Sequence, residues 1–151
     1  MPASQGSENN SGRGNMEGRR GSRRMLVQAL YQYQISAHSE AELIEQFKSL
    51  SDFKRINRKH FKTLLAESLA DLDALDAAIS DWADRPVEQL DPVERAVLWM
   101  GLTEMKQHAD VPPRVVINEA VELAKIFGSQ DGYRYVNAVL DKAAAHYRAE
   151  Q

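Results

Sequence analysis

The amino-acid sequence predicts an all-α protein of about seven helices. From Ser22 onward, apolar residues recur three and four positions apart in every segment with a clear period, which is the spacing of one helix face. No run of four or more residues alternates between polar and apolar as a half-buried strand does. Serine or aspartate caps and prolines separate the segments, as expected at helix starts.

The first half of the chain predicts three helical segments. The first ends near Ala37 and buries one face at helical spacing: Leu26, Ala29, Leu30 and Tyr33. A short second helix follows Ser39, which can form a capping box with Glu42. The third segment covers about residues 52–84 and is long enough for one break. Pro86 ends it.

The second half predicts three more helices. Asp91-Pro92 is a cap followed by proline at the first helical position, and the helix it opens is apolar on nearly every side. Such a helix is expected at the centre of the fold. The next helix starts at Pro112-Pro113 and ends at Gly128, which is placed for a left-handed turn. The last runs from about residue 129 or 131 to Tyr147.

Composition limits the class of protein. The 151 residues include no cysteine, which excludes disulfides and thiolate metal sites and suits the cytoplasm. Neither a secretory leader nor an apolar run of bilayer length is present. Residues 1–17 are rich in Gly, Ser, Asn and Gln, which predicts a disordered tail. Residues 18–151 are expected to form a single domain.

An arginine cluster stands at the start of the first helix. The net charge of the chain is −3, yet residues 1–24 carry five arginines and two glutamates, so they sum to +3 and the remaining 127 residues to −6. On a helical wheel, Arg19, Arg20, Arg23 and Arg24 fall within about 140°. A cationic cluster on an acidic protein predicts an anionic partner, with nucleic acid first. A solvated helix end and an acidic protein partner are the alternatives.

The sequence offers no catalytic constellation. The four histidines are far apart in sequence, and no metal-ligand spacing, phosphate loop or nucleophile motif occurs. Pairs of carboxylates are present, but 22 acidic residues produce such pairs on solvated helix faces by chance. We therefore predict a protein that is not an enzyme and has no cofactor and no metal.

Four segments carry a family resemblance. They are Val27-Gln28-Ala29-Leu30-Tyr31, residues 91–98, residues 111–125 and Val136-Asn137-Ala138-Val139-Leu140-Asp141-Lys142. Together and in this order they resemble the NusB family of bacterial transcription antitermination factors over about residues 19–145. The strings Asn-Glu-Ala-Val-Glu-Leu-Ala-Lys and Val-Asn-x-Val-Leu-Asp-Lys are the most specific part of the match.

This resemblance implies a fold of two packed helical bundles. It further implies a non-enzymatic RNA-binding protein that recognises the boxA element of ribosomal RNA leader transcripts together with NusE, a small-subunit ribosomal protein. The pair would then join the antitermination complex on RNA polymerase. A homodimer that hides the RNA surface is a further expectation that the sequence leaves open.

The resemblance also assigns roles to particular positions. Arg19, Arg20 and Arg23 match the family's arginine-rich RNA-binding motif, which Gly21 interrupts here. Other positions implied to contact RNA are Tyr31, Trp82, Asp131 and Tyr135. Glu88 and Glu94 match acidic positions near the NusE-facing surface, and acidic groups suit a basic ribosomal protein.

Two other functions are compatible with the sequence. Similar helical domains are joined to some ribosomal RNA cytosine methyltransferases, although this sequence contains no cofactor-binding strand-turn-helix. A purely protein-binding helical module, with incidental arginines, is the other alternative.

Overall fold

The computed structural model describes residues 3–83 and 85–149, and the side chains from Glu17 onward. Seven α-helices and two 3₁₀ turns make up this part of the chain, which contains no strand. The helices are α1 (Ala3–Ser36), α2 (Glu40–Lys48), α3 (Arg58–Leu69), α4 (Leu72–Ala83), α5 (Pro92–Gln107), α6 (Pro113–Phe127) and α7 (Gly132–Tyr147). The 3₁₀ turns are Ser51–Arg55 and Val87–Gln89. The all-α prediction is confirmed.

Helix α5 joins two helical bundles. Helices α1, α2 and α3 pack on one another, α4 and α6 pack on α7, and α5 contacts members of both groups. Eleven of the sixteen residues of α5 are buried. The prediction of a central helix that is apolar on nearly every side is thus confirmed, and so is the two-bundle architecture.

The predicted helix starts are found at Ser39 and Asp91. The Ser39 hydroxyl accepts from the Glu42 backbone N–H, and the Glu42 carboxylate accepts from the Ser39 N–H, which completes the capping box. The Asp91 carboxylate accepts from the Val93 N–H at 2.7 Å. Each cap satisfies backbone donors that the first helical turn leaves without a partner.

The disorder expected of residues 1–17 stays a prediction. Two expectations differ from the structure. The helical segment expected from about residue 52 begins with the 3₁₀ turn Ser51–Arg55, while the one break expected in it lies between α3 and α4. Gly128 has φ −91° and ψ −172°, so the predicted left-handed turn is wrong.

No helix in the described ranges combines the length and hydropathy needed to cross a membrane.

Candidate nucleic-acid interface

The arginines at the start of the packed part of α1 have different environments. Arg20 and Arg24 are exposed, and Arg19 is half-buried. The Arg20 side chain is 58% exposed and its Nε lies 3.2 Å from Glu119 Oε1 on α6. An ion pair with one partner this exposed contributes about 1 kcal/mol or less. Glu119, whose side chain is 15% exposed, also faces Arg23 Nη1, so Arg20 can exchange it for another anion at little cost.

Arg23, in contrast, lies inside the protein. Only 4% of its side chain is exposed, and it donates from Nε and Nη2 to the two carboxylate oxygens of Glu104 at 2.7 and 2.8 Å. Its Nη1 faces Glu119 at 3.5 Å. All three nitrogens therefore face carboxylates inside the protein, and the phosphate contact of Arg23 stays a prediction. The helical wheel places it beside Arg20, but α5 covers that side of α1.

The Arg23–Glu104 pair is the centre of a buried polar network. His60 Nε2 on α3 lies 3.4 Å from Glu104 Oε2, and His60 Nδ1 is hydrogen-bonded to the Ser22 hydroxyl. Burial raises the pKa of Glu104, but the hydrogen bonds and charges of Arg23 and His60 outweigh it and lower that pKa to about 2. The network joins α1, α3 and α5, and thereby fixes the arginine-bearing part of α1.

This network predicts an acid-sensitive contribution to stability. Because folding lowers the Glu104 pKa from 4.5 to about 2, the contribution is complete above pH 4.5 and is lost as the pH falls toward 2. Its size is about 3 kcal/mol, from 1.36 kcal/mol per pKa unit. We expect the Arg23→Met/Glu104→Met variant to lose less stability than the wild type over this range, as measured by urea unfolding at several pH values. Equal losses in the two proteins would contradict the assignment.

The aromatic candidates lie in two places. Tyr31 on α1 is 41% exposed and lines a groove of about 400 Å³ with apolar residues that include Leu50 and Phe127. Trp82 and Tyr135 are half-buried in the other bundle. Only Tyr31 therefore shares a helix with the arginines.

Trp82 and Tyr135 pack around the end of α4. The Trp82 ring lies 5.6 Å from the His146 ring and 5.8 Å from the Tyr147 ring. The Tyr135 hydroxyl donates to the Ala83 carbonyl at 3.2 Å, and the Arg85 guanidinium lies 4.7 Å from the Tyr135 ring centroid. Each ring thus has a packing role, and each side chain is partly exposed. Asp131, also predicted to contact RNA, is exposed at the start of α7.

The two acidic candidates also differ. Glu88 is exposed, whereas Glu94 is buried. The Glu94 carboxylate accepts from the Ser129 N–H at 2.8 Å and from the Ser129 hydroxyl at 3.2 Å. It occupies the N-terminal end of α7, where the helix dipole favours an anion. This carboxylate is thus used inside the fold, and the partner contact of Glu94 stays a prediction.

Two glycines make room for Glu94. A Cβ atom on Gly132 would lie 2.3 Å from Glu94 Cδ, and one on Gly128 would lie 2.7 Å from Glu94 Oε2. The Ala124 carbonyl oxygen would also lie 2.7 Å from a Cβ on Gly128. These two contacts favour a glycine at the end of α6, although it does not adopt a left-handed turn.

Gly132→Ala is expected to destabilise the protein by about 1–3 kcal/mol, the usual cost of an overpacked site. Thermal unfolding measures this change. In a Glu94→Ala background the same substitution meets no carboxylate, so it should be neutral or slightly stabilising, since alanine is the better helix former. The same cost in both backgrounds would contradict the steric account.

Sequence reasoning missed one buried arginine. Arg148 follows α7 and donates to four backbone carbonyls, those of Glu104, Met105, His108 and Val111, at 2.8–3.3 Å. Two of these carbonyls belong to the last turn of α5, where a cation is favoured by the helix dipole. A single arginine at the end of a predicted helix does not indicate, from sequence alone, which carbonyl groups it will bind.

Together, the fold and these contacts define an all-helical, two-bundle protein that exposes arginines where its first helix begins to pack on the others. The NusB family model matches residues 20–145. Transcription antitermination protein NusB of Paraburkholderia phytofirmans is 48% identical over 133 residues, which cover 88% of this chain and 92% of that protein. The same protein of Alcanivorax borkumensis is 45% identical and covers 86% and 87%. This chain belongs to the NusB family.

Solved structures agree on the fold. NusB of T. maritima superposes with a TM-score of 0.74 at 25% identity, covering 83% of this chain and 89% of that one. A structure of antitermination factors NusB and NusE in complex with dsRNA gives a TM-score of 0.70 at 22% identity, covering 86% and 96%. The family expectation from the sequence is confirmed.

Proposed function

We propose that this protein is an RNA-binding transcription antitermination factor that binds boxA RNA of ribosomal RNA leader transcripts together with NusE. The relatives named transcription antitermination protein NusB, which this chain matches over most of their length, support this function. The single observation in the structure that carries it is the exposure of Arg20 and Arg24 on a part of α1 that buried contacts hold against α5.

In this proposal Arg19, Arg20 and Arg24 bind phosphates, which position the RNA but do not read its sequence. Arg23 is a positioning residue, since its contacts with Glu104 hold this turn of α1 against α5. Contacts with unpaired bases, by stacking or hydrogen bonding, or with NusE are made by four further residues: Tyr31, Trp82, Tyr135 and Asp131.

Glu88 is the acidic residue that we assign to the NusE-facing surface, because it is exposed whereas Glu94 is not.

The protein–NusE pair then joins the antitermination complex on RNA polymerase in the cytoplasm. A homodimer would be a storage form in which the arginines are covered. No bond is made or broken in this function, and the names of the relatives denote no catalytic activity.

Binding of two RNAs tests the proposal. Fluorescence anisotropy would compare a boxA RNA with a scrambled RNA of equal length, with and without NusE, over a range of salt concentrations. We expect tighter binding of boxA in the presence of NusE and a loss of affinity with rising salt. Equal affinity for both RNAs with NusE present would refute the specific function. A protein that binds NusE but no RNA would favour the protein-binding module instead.

A further inference from the structure

A second group of cations lies outside the arginines of α1. It consists of five exposed residues on the 3₁₀ turn and the first half of α3: Lys54, Arg55, Arg58, Lys59 and Lys62. We call this group the α3 ridge. Residues 51–62 contain one acidic residue, Asp52, and therefore sum to +4 in a chain whose total is −3. Within the described side chains, no member of the ridge forms an ion pair.

The ridge faces away from the core. At about 100° per residue, Arg58, Lys59 and Lys62 lie within roughly 100° of one another on the α3 wheel. The buried residues of α3 occupy the other side: His60, Phe61, Leu64, Leu65 and Ser68. Arg58 and Lys62 are one turn apart, where like charges repel and destabilise the helix slightly. An anion bound along this face would relieve that repulsion.

The α3 ridge begins where α1 and α3 touch. The Asn57 N–H donates to the Gly18 carbonyl at 3.0 Å, and Arg19 and Arg58 are the next residues on the two chain segments. Standard backbone dimensions place their Cα atoms within about 11 Å of each other. A Cβ on Gly21 would lie 2.8 Å from Ile56 Cγ2, so the glycine that interrupts the arginine run is what allows this approach.

A groove of about 480 Å³ lies between the α1 arginines and the α3 ridge, with Arg24 and Arg55 among its lining residues. Its charged lining is balanced, with Glu17 and Asp52 against Arg24 and Arg55. The groove itself therefore offers no net attraction to an anion. The positive surface is formed by its two rims, the α1 arginines on one side and the ridge on the other.

We propose that the α3 ridge continues the RNA-binding surface, binding phosphates of the same strand that the α1 arginines hold. This inference rests on the function proposed above and adds a second set of contacts to it. The partner is a polyanion because the five exposed cations extend from the 3₁₀ turn over the first half of α3 with a single acidic residue in that stretch. Each phosphate neutralised releases condensed counterions, which contributes to affinity without reading sequence.

The test uses Arg58→Gln/Lys62→Gln in the full chain with NusE and a single-stranded boxA RNA extended by about eight nucleotides at each end. Two lost contacts should reduce the slope of log K against log salt by about 1.4, which corresponds to roughly 25-fold weaker binding at 0.1 M salt. A control with the same charge change is Lys48→Gln/Lys125→Gln, two exposed lysines that form ion pairs with glutamates one turn away, Lys125 also lying 5.0 Å from the Tyr133 ring centroid. The control should bind almost as the wild type does.

Three results would overturn the inference. They are wild-type affinity and slope in the ridge variant, an equal loss in the control, and loss of NusE binding in place of RNA binding. Lys54→Gln/Arg55→Gln provides a second ridge variant if the first does not fold. If the wild type binds no RNA, the proposed function fails as well. If the wild type binds and only Arg20→Ala/Arg24→Ala weakens binding, the ridge inference alone fails.

Discussion

Replacing Arg23 by alanine is expected to lower the free energy of unfolding by about 3–5 kcal/mol, the usual effect of leaving a buried charge without its partner. Glu104 is 1% exposed and would lose both hydrogen bonds of the Arg23 guanidinium. For a chain of this size, such a loss lowers the midpoint of thermal unfolding by roughly 10 °C. Urea and thermal unfolding both measure it.

Arg20→Ala is the matched control, since it removes an arginine three residues away on the same helix. Its exposed ion pair with Glu119 predicts a change of at most about 1 kcal/mol. The Arg23→Met/Glu104→Met variant removes both charges, so neither is left buried without its partner. Its free energy of unfolding should therefore be closer to that of the wild type than to that of Arg23→Ala. Similar effects of Arg23→Ala and Arg20→Ala would contradict the division of the cluster into a buried and an exposed part.

For RNA binding we expect the exposed arginines, and not the buried Arg23, to have the larger effect. Arg20→Ala/Arg24→Ala should weaken binding of boxA RNA in the presence of NusE by roughly 25-fold at 0.1 M salt, because two phosphate contacts carry a combined salt slope of about 1.4. Anisotropy titrations at several salt concentrations measure both quantities. The folded state should be almost unaffected, since both side chains are exposed.

Lys48→Gln/Lys125→Gln again provides the control of equal charge change. A loss that is equal in the control would mean that net charge, and not the placement of Arg20 and Arg24, sets the affinity. Unchanged RNA binding after Arg20→Ala/Arg24→Ala would show that these arginines are a solvated helix end.

Local signals were sufficient to predict most of the fold. Caps at Ser39 and Asp91 act within three residues, so sequence alone identifies them. The apolar character of α5 on nearly every side likewise indicated its central place. The start of α3 at Arg58 was harder to predict, because the 3₁₀ turn Ser51–Arg55 that precedes it has no strong apolar period. Gly128 was misread because its partner, Glu94, is distant in sequence.

The site was predicted less completely than the fold. A helical wheel places Arg20 and Arg23 on neighbouring faces, and only the packing of α5 and its Glu104 shows that one is buried. Glu94 looked like a surface acid for the same reason, since Ser129 comes 35 residues later. Long-range pairing of charges leaves no periodic signal in a single sequence.

The α3 ridge illustrates a different difficulty. Its five cations are interrupted by Ile56, Asn57 and others, so no dense basic run draws attention to them. Their common exposure and their position beside α1 emerge only when α3 is packed.

Proton–nitrogen NMR of the arginine Nε–Hε groups tests the central claim most directly, with boxA RNA added to the protein–NusE complex. The signals of Arg20 and Arg24 should shift on RNA binding, while the Arg23 signal stays in place and exchanges slowly with water, because its Nε donates to buried Glu104. A shift of the Arg23 signal, with those of Arg20 and Arg24 unchanged, would contradict the account.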